Sequence, residues 1–225
     1  MHNVTTPLEM ATFPRRQQFE FYGAMELPNT TLCADVTVTA LLAYCQQHQI
    51  SSYRAVAYAM LSVAQQLPWM RWRIRDEGRT VVEHSVLSAG ATMLGKDEQV
   101  RFTCTPFQPE FRAFDAAFKR HTQQAASSDT LFNQGTTNDD TDAFLYLTCL
   151  PWLRFTQFSN PMPIDRFDAV PRLAWGKYDV QGAETVMPVA LQAHHGLADG
   201  LHLTQFYHAL ERMLAQPDQW LSPAQ

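Results

Sequence analysis

The segment His194-His195-Gly196-Leu197-Ala198-Asp199-Gly200 sets two adjacent imidazoles, an acid four residues after the second, and a glycine side by side in the chain. An imidazole that titrates near neutrality can take a proton from a hydroxyl or thiol and return it to a leaving group, a contribution of about 10²–10⁴-fold in rate. Neighbouring residues of a strand point to opposite faces, so the two rings cannot share one job. If the strand runs unbroken to the turn, His195 falls in register with Val189, Leu191 and Ala193, and His194 with Ala190 and Gln192. Asp199 admits two readings at this stage. It orients His195 through the second ring nitrogen, or it pairs with an arginine and holds the turn in shape. A plainer alternative makes both histidines hydrogen-bonded strand-end residues and Asp199 the cap of a helix beginning near Leu201. The two imidazoles, acid and glycine together, in a strand-turn-helix setting, favour the functional reading.

The elements that must hold this turn are legible on either side of it. Residues 186–193 form a β-branched and apolar run, and Leu203, Phe206, Leu210 and Met213 recur at helical spacing. Upstream, Thr39 is a good N-cap for a helix through Ala40, Leu41, Ala43 and Tyr44. Ser51 or Ser52 can cap a longer one over 53–66, closed by Pro68. Trp72-Arg73-Ile74, a turn at Asp76-Glu77-Gly78 and a run over 80–84 predict a hairpin. The polar, glycine-containing stretch 90–100 reads as a loop or short edge strand, followed by an aromatic strand around Phe102. An amphipathic helix over about 110–124 carries Phe111, Phe114 and Phe118 on one face. Residues 127–142 read as a long surface connection, 144–150 as a buried strand, and Pro161, Pro163 and Pro171 bracket an irregular segment before 173–178. Strand and helix signals interleave without a repeated unit, which predicts an α+β fold: a two-layer sandwich with a mixed β-sheet flanked by helices.

With 225 residues, 46% of them hydrophobic and 17% charged, the chain can bury one substantial core, so 1–225 is expected to be a single domain. A net charge of −5 without a basic run excludes the footprint of a nucleic-acid binder. No apolar run approaches the ~20 residues of a membrane span, and no secretory leader is recognisable, so a soluble cytoplasmic protein is expected. Cys33, Cys45, Cys104 and Cys149 lack the short paired spacings of a zinc site and read as reduced and buried. No metal is expected.

At the histidine turn the chain resembles the chloramphenicol acetyltransferases, whose signature His-His-x-x-x-Asp-Gly, then an aromatic or apolar residue and a further histidine, is matched from His194 to His202. Further matches keep the same order along the chain. Arg15-Arg16-Gln17-Gln18-Phe19-Glu20-Phe21-Tyr22 is similar to the family's Arg-basic-Glu-His-Phe-Glu-x-Tyr/Phe. Leu131-Phe132-Asn133-Gln134-Gly135 is similar to Leu-Phe-Pro-Gln-Gly; Pro151-Trp152 with Phe155 and Phe158 to Pro-Trp-x-x-Phe-x-x-Phe; and Gly176-Lys177-Tyr178 to Gly/Ala-Lys-Tyr. The resemblance implies acetyl transfer from acetyl-CoA to a hydroxyl of chloramphenicol, in a homotrimer with sites at the subunit interfaces. It makes His195 the general base, Asp199 a structural acid paired with Arg15, and Thr148 the hydroxyl that donates to the oxyanion where the family has serine. It places Tyr53, Trp152, Phe158, Lys177 and Tyr178 near the CoA channel.

For the acceptor pocket the resemblance implies an aromatic lining of Phe21, Tyr22, Phe102 and Phe132, joined by Tyr146, Asn160, Met162 and Ala174. Here the chain departs from the family: Tyr146 replaces a small amide, Asn160 an apolar residue and Ala174 a threonine, and the 27–31 segment lacks an aromatic. A same-fold acyltransferase with another hydroxylated or thiol acceptor, or a catalytically silent binding homologue, therefore stands as the alternative. Dihydrolipoyl acyltransferase cores share the fold and mechanism but carry an arginine where Gly196 follows His195, and condensation domains need two such modules.

Overall fold

The computed structural model describes residues 2–132 and 142–221. From the N-terminus it runs through β1 (Thr5–Pro7), α1 (Arg16–Gly23), β2 (Asn29–Thr37), α2 (Thr39–Gln47), α3 (Ser52–Gln66), β3 (Trp72–Arg75), β4 (Thr80–His84), β5 (Ser88–Leu94), β6 (Val100–Pro106) and α4 (Phe111–Ala126). It continues through β7 (Phe144–Leu150), β8 (Arg172–Gly176), β9 (Asp179–Gln181), β10 (Glu184–His194) and α5 (Gly200–Ala215). Among the described residues the main sheet has the order β2-β10-β8-β7-β5-β6, with β9 on β10, and a smaller sheet has the order β1-β4-β3. The main sheet is mixed: β5, β7 and β8 are mutually parallel, while β10 is antiparallel to β2 and β8, and β6 to β5.

Period-2 alternation gives this sheet two different faces. Leu145, Leu147, Leu173, Trp175, Val189 and Leu191 point into the main core, where they meet Leu41 of α2, Met60 of α3, Phe114 and Phe118 of α4, and Phe206 of α5. The helices form one layer and the sheet the other, giving the expected α+β sandwich. Phe114 and Phe118 are fully buried, and each such ring removed from water stabilises the fold by about 2–3 kcal/mol. The opposite face, carrying Tyr146, Thr148, Ala174 and Gln192, is covered only in part. Phe155 and Phe158 from the irregular segment pack there on Ala174 and Ala190. A second small core joins Phe13, Phe19, Ile74, Val81 and Leu197, and so ties α1 to the histidine turn.

Three expectations need correction. Only 95–99 of the stretch 90–100 is a loop: residues 90–94 belong to β5, a seven-residue strand that lies between β7 and β6 and not at an edge. Its small residues are what a crowded interior position requires, since a Cβ at Gly90 would stand 2.9 Å from the Phe144 ring. Thr39 is the first helical residue and not the cap; its hydroxyl accepts from the Thr185 backbone at 2.8 Å, tying α2 to β10. All four cysteines are free, but only Cys45 is fully buried. Ser127 and Asp129 through Phe132 are exposed as a surface connection would be, whereas Asn133, Gln134 and Gly135 lie outside the described residues. No described helix is long and apolar enough to cross a membrane.

Candidate active site

β10 ends at His194, and His195 opens a turn that leads into α5. His194 is buried and its two nitrogens are spent: Nε2 donates to the Arg166 carbonyl at 3.0 Å, and Nδ1 accepts from the Gly196 backbone at 3.1 Å. Burial lowers its pKa, which keeps the ring neutral. The two rings therefore do different work. His195 is half-buried, and its backbone N–H donates to the Pro28 carbonyl at 2.6 Å. Its Nδ1 stands 3.0 Å from the Ala198 carbonyl, an acceptor only, so Nδ1 carries the proton and Nε2 is left with a free lone pair. Tyr22 lies flat on this ring, centroids 4.0 Å apart at 17°, and Phe21 meets Tyr22 edge-on at 5.1 Å. An imidazole fixed in this tautomer can accept a proton at Nε2.

Between the two readings of Asp199, the geometry chooses architecture. Its Oδ2 accepts from Arg15 Nη1 at 2.7 Å, while Arg15 also donates through Nε to the Gly196 carbonyl at 3.3 Å and through Nη2 to the His195 carbonyl at 3.2 Å. One buried guanidinium thus grips three points of the turn. Asp199 Oδ1 accepts from the Leu201 backbone at 3.1 Å, capping α5. Burial alone would raise this carboxyl, but the hydrogen bonds from His202 and Arg15 outweigh it and hold it well below the usual carboxylate range.

A cleft of about 570 Å³ opens at the other end of the sheet, walled by Tyr53, Thr92, Cys149, Trp175, Gly176 and Tyr178, with Trp152 and Lys177 on its lining as well. Four of the five residues assigned above to a CoA channel are here: Tyr53, Trp152, Lys177 and Tyr178. Phe158 is not on this wall; its ring packs on Phe155 at 5.6 Å, beside Ala174. Trp152 is 72% exposed, an unusual position for indole and one suited to stacking on a flat ring. Gly176 keeps the wall thin, because a Cβ there would lie 2.7 Å from both the Leu153 carbonyl and Pro188. Desolvation pushes the Tyr178 hydroxyl and the Cys149 thiol each up to about 12, so both are neutral donors at pH 7.

Thr148 lies beside this cleft on β7, its register partner on β8 is Ala174, and its Oγ1 accepts from Thr92 at 3.4 Å, leaving its own proton free. Tyr146, two residues earlier on the same face, meets Phe144 edge-on at 4.8 Å and lies under the Arg172 guanidinium at 5.1 Å. Phe102 and Phe132 stack at 5.2 Å where the Leu131 carbonyl receives the Phe102 N–H, so this pair forms one aromatic wall of that face. Gln192 ties down the far wall: its Oε1 accepts from the Asn160 backbone at 3.1 Å, and its Nε2 contacts Met162 sulfur at 2.7 Å. Reading the sequence missed Thr92 and Gln192. The first sat in a stretch taken for a loop, and the second appeared only as a strand alternation residue. His195, with Tyr22 and Phe21, is not among the residues that line the cleft.

A family model described as chloramphenicol acetyltransferase matches residues 3–211. The chain belongs to the chloramphenicol acetyltransferase family. It is accordingly an acyltransferase. Its similarity to the chloramphenicol acetyltransferase of Streptomyces acrimycini is 28% identity over 218 residues, covering 96% of each chain. A solved structure of a chloramphenicol acetyltransferase superimposes with a TM-score of 0.83 at 21% identity, over 94% of this chain and 100% of that one. The cubic core of the pyruvate dehydrogenase multienzyme complex shares the fold, with a TM-score of 0.71 at 16% identity over 91% of this chain and 88% of that one. The fold of this chain is thus shared with a solved chloramphenicol acetyltransferase.

Proposed function

We propose that this acyltransferase moves an acetyl group from acetyl-CoA to a hydroxyl of chloramphenicol by direct general-base catalysis, as one 225-residue domain. The observation that carries the reading is His195, whose Nδ1 proton is committed to the Ala198 carbonyl, so that Nε2 is available to a substrate. Nε2 takes the acceptor's hydroxyl proton as the oxygen attacks the thioester carbonyl. The Thr148 hydroxyl donates to the oxygen on which charge develops. When the carbon–sulfur bond breaks, the imidazolium returns its proton to the departing thiolate, and the histidine is regenerated without an acyl-enzyme. Asp199 and Arg15 hold the turn and do not carry protons.

The cleft fits a long thioester cofactor. Its aromatic wall suits a thin chain, Lys177 supplies a cation for phosphate, and Trp152 offers its face to an adenine. Phe21, Tyr22, Phe102, Phe132, Tyr146, Asn160, Met162 and Ala174 would surround the acceptor. Because His195 lies away from the cleft within one chain, the reading requires association, with His195 of one subunit facing Thr148 of the next in a homotrimer. With acetyl-CoA as the donor, the proposed site of the reaction is the cytoplasm.

The test is thiol release from acetyl-CoA by the purified protein, with and without chloramphenicol, beside His195→Ala. Chloramphenicol-dependent release is expected, falling about 10²–10⁴-fold in the variant. Release with other hydroxylated acceptors but not chloramphenicol would move the assignment to a different substrate, with Tyr146 the first residue to suspect. No release with any acceptor would make the protein a silent homologue.

A further inference from the structure

We infer that His202 is a positioning residue that keeps His195 in its proton-accepting tautomer by anchoring Asp199. The assignment rests on His195 being the base, and the chain of contacts is continuous. His202 Nδ1 lies 2.7 Å from Asp199 Oδ1, the oxygen that Arg15 does not hold. The same nitrogen is 3.4 Å from the Asp199 backbone nitrogen, too long to compete with the shorter contact, so Nδ1 carries the proton and donates to an ionised carboxylate. Asp199 is therefore clamped from both sides, by Arg15 on Oδ2 and His202 on Oδ1. The residue before it, Ala198, presents the carbonyl that receives the His195 Nδ1 proton. The Ala198 carbonyl lies in the planar peptide unit that joins it to Asp199, so a rotation of that unit about the Asp199 N–Cα bond tilts the carbonyl.

His202 occupies the N3 position of the capping box that opens α5, but its shorter contact is to the Asp199 carboxylate at 2.7 Å, against 3.4 Å to the Asp199 backbone nitrogen. Asp199 already caps α5 through the Leu201 N–H. A histidine in the first turn of a helix is a mediocre helix former and faces the positive end of the dipole. Trp69, in the single turn Pro68–Arg71, meets the His202 ring edge-on at 6.3 Å and 87°, which fixes the ring plane and aims Nδ1 at the carboxylate. Arg15 holds only one oxygen of Asp199, because two of its three hydrogen bonds to the turn go to the His195 and Gly196 carbonyls.

The experiment compares His202→Leu, which keeps volume and removes the donor, with His202→Asn, whose side-chain amide can donate from nearly the same place. His202→Ala replaces the leucine variant if that one fails to fold. Two readouts are taken: kcat and KM for acetyl-CoA and the acceptor, and the ring-nitrogen NMR shifts of His195 in uniformly labelled protein. The expected result for His202→Leu is a kcat lower by about 10- to 10²-fold, the upper figure being the loss for a catalytic group misplaced by about 1 Å, with both KM values unchanged. The His195 nitrogens should shift toward a mixture of tautomers. His202→Asn should restore both. A leucine variant with wild-type kcat and an unmixed tautomer, or an asparagine variant as impaired as leucine, would overturn the inference. If wild type released no thiol but the NMR change still appeared and was rescued by asparagine, the proposed function would fail while the positioning role stood.

Discussion

Replacing Arg15 by methionine removes the one side chain that grips the turn at three places, and the loss can be worked from its contacts. The guanidinium is 8% exposed and its partner Asp199 is 36% exposed. Breaking a fully buried ion pair costs about 3–5 kcal/mol, but the exposed third of Asp199 regains water, so about 2 kcal/mol is the appropriate share. The His195 and Gly196 carbonyls lose long hydrogen bonds of 3.2 and 3.3 Å. Each orphaned acceptor adds about 1 kcal/mol, and the methionine's apolar burial offsets part of that, leaving about 3–4 kcal/mol in total. At about 2–4 °C per kcal/mol for a chain of this size, the melting temperature should fall by roughly 6–16 °C. Scanning calorimetry of Arg15→Met, Asp199→Asn and the double variant measures this. Because the two side chains share one contact, the double variant should lose clearly less than the sum of the singles. A drop below about 2 °C in Arg15→Met, or strict additivity, would refute the clamp.

Thr148→Val, which keeps the shape and deletes the hydroxyl, should lower kcat by about 10²–10³ with little change in KM, while Thr148→Ser stays near wild type; steady-state kinetics with the purified variants decides. Acid stability has a definite sign. Burial would raise the Asp142 carboxyl, yet hydrogen bonds from His84 and Arg75 hold it well below the usual carboxylate range, as the Arg15 and His202 contacts hold Asp199. A carboxyl depressed by folding contributes stability that is complete above its unfolded value near 4 and is lost as pH falls toward its folded value. Melting temperature should therefore drop as pH goes below about 4, and more shallowly in Asp142→Asn, measured by circular dichroism from pH 7 to 2.5.

The turn, its flanking strand and helix, and the aromatic face of α4 could be read from residue order, because each is a local pattern with its own period. β5 could not. Ser88, Gly90 and Thr92 look like loop residues, and only the approach of the Phe144 ring from β7 makes smallness at Gly90 a packing requirement. Thr39 was displaced by one residue because its hydroxyl found a partner 146 residues away, at Thr185. Within the site, spacing left Asp199 between two roles, since the acceptor that serves His195 is a main-chain carbonyl and leaves no mark in the sequence. The separation of His195 from the Thr148 cleft was equally invisible. It depends on which end of each strand faces which, a property of sheet order.

That main-chain acceptor also decides how the protein can fail by mutation. Every amino acid carries a carbonyl, so no single replacement at Ala198 can delete the group that steers the His195 ring; with its side chain fully enclosed, position 198 is limited by bulk alone. A saturation screen should find codon 198 tolerant of glycine and serine and of nothing larger, while the inactivating lesions gather at the neighbouring positions that hold the loop in register.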